Sequence, residues 1–241
     1  MRHLEQEIQL GDIAGAENAL PSTESLEQRL ITLERKLSEL PPDAPVAERL
    51  KLLLDSGYLL LDLERRDQAW QRSREVLAQA LDHRLWAHAV EACDILFQAD
   101  RPESIRALAH GIWLGVTFPI DPELSVAMLQ HLVDETPDRS DGAAVAAATA
   151  RYIVDLRAEG SQREELMFFT GQLLGQVARR HSQVEEQEIF DFWMDRLELK
   201  EPDKFLPRLA KVLDVITAGE WWFDRDALRA LIPDEETAES V

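Results

Sequence analysis

The sequence predicts an all-α protein: antiparallel helix pairs stacked as a TPR-like α-solenoid, preceded by one extra helix. Three observations carry this expectation. Apolar residues recur every three or four positions through most of the 241 residues, which is the period of a helix. Only 10 glycines and 11 prolines interrupt them, and the prolines fall between the periodic segments. Short connections then join the segments in pairs, with turns near residues 65, 99, 137, 181 and 220. The intervals of 34 to 44 residues lie within the range of two-helix repeat units.

Residues 1–21 read as a flexible segment without the apolar stretch of a signal peptide. In residues 22–42 the run STESLEQRLITLERKLSEL spaces Leu26, Leu30, Leu33, Leu37 and Leu40 alternately by four and three. That is a coiled-coil-type seam offering self-association as a homodimer, and Pro41 and Pro42 end it. The repeat domain follows over 43–232. Its helices are expected near 45–64, 67–81, 84–98, 101–116, 122–134, 141–158, 162–180, 183–199, 202–218 and 224–232. Asp43, Asp100, Asp121 and Asp224 are read as acceptors for first-turn amides, three of them beside a proline, and Ser161–Glu164 and Ser182–Glu185 as reciprocal capping boxes. Residues 233–241 are acidic and expected to be disordered.

An internal echo runs through the first two pairs. Gly57, Leu60, Ala69, Ser73 and Val76 recur 35 residues later as Ala92, Ile95, Ser104, Leu108 and Gly111, small or apolar matched to small or apolar where helices cross. Over residues 45–116 this resembles the tetratricopeptide (TPR) repeat, although Leu53 and His88 replace its early aromatic and Leu81 and Val116 its closing proline. The resemblance implies an αα-repeat that binds another protein, and it assigns no residue a role.

Familiar catalytic templates are missing. No Walker-type glycine loop, dinucleotide fingerprint, Gly-x-Ser-x-Gly or His-Glu-x-x-His is present. Di-iron bundles need a Glu three residues before a His, and every such position ahead of His83, His88, His110, His131 and His181 is apolar. His88 with Glu91, His131 with Asp134 and Glu135, and His181 with Glu185 pair an imidazole and a carboxylate on one helix face. In a chain with 46 acidic residues such pairs also arise as solvated helix surface. Cys93, flanked by Ala92 and Ile95, reads as a small buried hydrophobe. Ala-rich residues 142–150 and the pairs Gly111/Gly115 and Gly171/Gly175 are expected to let helices approach closely. No residue is assigned to catalysis or to a metal, and no cofactor is expected.

Charge and aromaticity give the functional expectation. Forty-six acids against 26 bases leave a net charge of -20, which argues against nucleic acid and anionic membranes as partners. Residues 182–241 alone carry 16 acids and 7 bases, together with Phe192, Trp221, Trp222 and Phe223. These four aromatics are the candidate partner-binding residues, with a lid over the last helix pair as the alternative role for the consecutive three. The expected protein is a non-enzymatic cytoplasmic adaptor, assembly factor or chaperone-like binder of a partner with a basic segment. The alternative is a helical enzyme or a small-ligand or metal binder whose polar groups converge from distant helices. An enclosed pocket lined by His and carboxylate groups would distinguish it.

Overall fold

A computed structural model describes residues 22–232, and among these the regular structure is eleven helices with no strand. The segments 1–21 and 233–241, expected to be flexible and disordered, lie outside the described residues. No described helix is long and apolar enough to cross a membrane.

Helix α1 (Thr23–Glu39) starts at Ser22, whose side chain accepts the Ser25 N–H at 3.2 Å. It lies along α2 (Val46–Asp62) and buries Leu26 and Leu30 there, with Leu33 also packed on the core and Leu37 and Leu40 half-buried. The upper part of the leucine seam is thus occupied within its own chain. Next come α3 (Arg66–Asp82), α4 (Trp86–Gln98), α5 (Ser104–Thr117), α6 (Pro122–Glu135), α7 (Asp141–Arg157) and α8 (Gly160–Ser182). Each packs against the helix before and after it, while α2 also touches α4, α4 touches α6 and α6 touches α8.

Helix α9 (Gln187–Arg196) rests on α8, but α10 (Pro202–Thr217) departs from the expected fifth pair. Its neighbours are α7 and α5, reached by a buried stripe of Phe205, Leu209 and Leu213 at four-residue spacing. Arg208 fixes it polar-side, donating to the Leu197 carbonyl and to Asp141 of α7. A short last helix, α11 (Arg225–Arg229), follows the aromatic turn.

Helix starts differ from expectation in an instructive way. Asp121 and Asp224 cap α6 and α11, accepting amide hydrogens at 2.9 and 3.0 Å. Asp43, Asp100, Ser161 and Ser182 do not cap. Pro45 occupies the cap position of α2, Ser161 lies inside α8, and Ser182 is its final residue. Asp100 itself is left-handed, φ +53°, and closes a turn. The same closure recurs at Glu64, Arg84, Glu198 and Ala218, where the following amide reaches back to the carbonyl of Leu60, Ala80, Met194 or Asp214.

Small residues act at one of the two glycine pairs. A Cβ at Gly111 of α5 would sit 2.8 Å from Cys93 Cβ of α4 and against the Met128 methyl of α6, so three helices converge on that missing atom. Around Gly175 a Cβ would meet nothing within 4 Å, and at Gly171 it would meet only the Arg151 guanidinium of α7 at 3.4 Å, so the second pair marks no backbone crossing as close as that at Gly111. Gly111→Ala is expected to cost about 1–3 kcal/mol by forcing α4 and α5 apart. Urea denaturation reads it, and an unchanged midpoint would refute the crowding. The C-terminal end of α5 is held from a distance, since Arg157 of α7 donates to the Gly115 and Val116 carbonyls, both at 2.7 Å.

Candidate functional site

A polar knot ties together α2, α4 and α6. Asp94 of α4 is 3% exposed, in the middle of the apolar run around Cys93. Its Oδ2 accepts the Tyr58 hydroxyl of α2 at 2.7 Å and the Gln98 amide at 2.9 Å, while Oδ1 faces His131 Nε2 of α6 at 3.2 Å. Burial pushes the Asp94 carboxyl up, but hydrogen bonds and charge from His131, with those of Gln98 and Tyr58, outweigh it and hold it below the usual carboxylate range. The Phe97 ring lies 4.9 Å from the imidazole and walls it on one side. Oδ2 takes both hydrogen bonds and Oδ1 the charge contact with His131, so Asp94 serves as a tie between three helices, and His131, Tyr58 and Gln98 are its partly exposed outer members.

The second assembly is aromatic and holds three of the four sequence-predicted contact residues. Trp221, Trp222 and Phe223, all half-buried, fold back onto α5 and α3. His110 of α5, fully buried, stacks on Trp222 at 4.3 Å, with Trp221 at 5.0 Å and Phe223 at 5.2 Å. Trp113 lies 5.4 Å from Phe223, and Trp70 of α3 meets Trp222 edge-on at 6.3 Å. Guanidinium groups cap the outer faces: Arg74 stands 3.9 Å over Trp222 and Arg225 4.1 Å over Trp221. Phe192, 65% exposed on α9, lies outside this cluster.

No protein-family model matches this chain, and no curated protein or solved structure matches it significantly.

Other candidates resolve into structural roles. His181 joins Asp141 of α7 at 3.1 Å, accepts the Trp193 indole N–H of α9 at 3.2 Å and meets Ser182 of its own helix at 2.6 Å, so no partner is the Glu185 that its sequence spacing offered. His131 likewise reaches across to Asp94, although its charge also acts on Asp134. Cys93 is buried, and that burial pushes its thiol up, away from the thiolate a nucleophile needs. Among the described residues no three His, Cys, Asp or Glu side chains converge to hold a metal ion.

Tyr58, Asp94, Gln98 and His110 were not singled out as site residues by their sequence pattern. For Asp94 a signal exists: a carboxylate inside an apolar helix face must find partners or leave the core. His110 has no comparable linear signal, because its partner is a backbone amide 112 residues away.

Proposed function

We propose that the chain is a non-enzymatic adaptor of TPR-like, solenoid type that holds a basic segment of another protein against α2, α4 and α6. The observation that carries this reading is a charge asymmetry on two neighbouring helices. Besides the buried Asp94 and Glu123, helices α4 and α6 carry Glu91, Asp134 and Glu135 and no lysine or arginine, while α2 sets Glu48, Asp55 and Asp62 against Arg49 and Lys51. On the other layer, α3, α5 and α7 receive the chain's own α10 and aromatic turn.

Two carboxyls on this face support a cationic partner. Burial lifts Asp134 above the usual range, and Glu135 adds to it, against the pull of His131 and Arg180. Burial also lifts Asp62 at the end of α2, against Arg29. A lysine or arginine placed beside them would relieve both, because an opposite charge within a few ångströms favours the ionised form. Complementarity of this kind speeds encounter and weakens with salt.

A lysine-rich peptide labelled for fluorescence anisotropy tests the reading. Binding is expected at low ionic strength, weakening as salt rises, with Asp134→Asn and Glu135→Gln each reducing affinity by up to about fivefold, the scale of exposed ion pairs. Neither variant should unfold the chain, since both side chains reach the surface, and Asp134→Asn, which removes a carboxyl lifted by partial burial, should raise the melting temperature slightly if it moves it at all. Absence of binding by the native chain, or equal binding by both variants, would overturn it.

A further inference from the structure

The aromatic turn is attached to α5 through a hydrogen bond whose direction depends on one proton. His110 Nδ1 lies 2.5 Å from the Arg106 carbonyl, which cannot donate, so Nδ1 carries the hydrogen. Nε2 lies 2.8 Å from the Trp222 backbone nitrogen, which only donates, so Nε2 is bare. The imidazole is therefore neutral and in a single tautomer, with both nitrogens satisfied. A proton at Nε2 would set two N–H groups against each other inside a stack of aromatic rings.

We infer that neutral His110 is a latch holding the C-terminal aromatic segment, residues 220–229, on α3 and α5, and that proton uptake at Nε2 releases this segment and uncovers Trp70 and Trp113. The surrounding charges favour that outcome. Arg74 of α3, Arg106 of α5 and Arg225 of the segment all press on the imidazole, so a cation there meets like charge. Acids nearby are already engaged: Glu220 with Arg106 at 2.8 Å and Asp214 of α10 with Arg225 at 2.9 Å. On the α4 side, Gly111 next to His110 packs on the buried thiol of Cys93. Where the segment leaves α10, Ala218 and Gly219 are both left-handed, φ +52° and +75°, so the chain turns sharply there before it reaches His110.

The pH range follows from linkage. Burial, together with Arg74, Arg106 and Arg225, holds docked His110 down at about 4, from an ordinary value of 6.5 regained on release. A group depressed in the docked state favours docking fully above 6.5. That advantage shrinks about tenfold per pH unit below it and levels off below about 4, which gives roughly a 30-fold weakening between pH 8 and pH 5.

Amide hydrogen exchange of the full chain by NMR, corrected for the intrinsic pH dependence of exchange, reads the latch at the Trp222 N–H. Protection is expected to fall about 30-fold from pH 8 to pH 5 while far-UV helicity stays constant. His110→Gln, which can donate to Arg106 and accept from Trp222 without titrating, should be flat over that range, and Glu220→Gln should keep the wild-type slope. Constant protection in the wild type, or an equal fall in His110→Gln, would overturn the latch. If His110→Gln fails to dock at any pH, the wild-type imidazole decides: titration near 4 supports the latch, and titration near 6.5 overturns it.

Discussion

Phe205→Ala is expected to destabilise the protein by about 3–5 kcal/mol, the usual cost of removing a large buried aromatic. The side chain is 2% exposed and begins the apolar stripe by which α10 lies on α7 and α5, with the Tyr152 ring edge-on at 6.0 Å. Its loss removes apolar contact and leaves a void between α10 and α7, which close-packed neighbours fill only in part. Urea denaturation followed by circular dichroism measures the cost. In a chain of this size each kcal/mol corresponds to about 2–4 °C of melting temperature. A second consequence separates this site from an ordinary core position. The aromatic turn reaches α3 and α5 only because α10 delivers it there, so exchange at Trp222 should accelerate in Phe205→Ala under conditions where α2–α8 remain folded. A loss below about 1 kcal/mol, with Trp222 still protected, would show that α10 is held by Arg208 on Asp141 and the turn after it by Arg106 on Glu220.

How far the sequence discloses this arrangement depends on the range of the interaction concerned. Helix existence is local: the period of leucines and alanines locates all eleven helices, including the short α11 that Asp224 caps. Helix ends are less legible, because the left-handed closing positions carry Glu64, Arg84, Asp100 and Glu198 where glycine would have announced them. The stripe of Phe205, Leu209 and Leu213 says that α10 buries one face and is silent on the partner, so the return of the chain over α7 and α5 has no linear signature. Burial of Leu26 and Leu30 against α2 has the same character, since a leucine seam fits a neighbour in its own chain as well as a second copy. Trp221, Trp222 and Phe223 are conspicuous in sequence, yet the group that organises them is His110, a lone histidine in an apolar helix.

Asp94→Ala is expected to cost about 3 kcal/mol, although it removes no more than a carboxylate from a helix rich in alanine. The loss comes from what remains behind. Tyr58, Gln98 and His131 would keep their polar groups at a partly buried junction of α2, α4 and α6 with the Asp94 carboxylate gone. Asp94→Asn should cost less, because the amide oxygen still accepts a hydrogen bond while the charge attraction to His131 is lost. The acid limb of the stability profile provides the discriminating measurement. Asp94 titrates below the usual carboxylate range in the folded chain, so its contribution is complete above the unfolded value near 4 and is lost as pH falls through the lower folded value. Denaturation midpoints of wild type and Asp94→Ala should therefore differ most at neutral pH and converge in acid. A gap that stays constant down to pH 2 would mean that Asp94 stabilises by shape alone, and the three helices would then be joined by their apolar contacts without the knot.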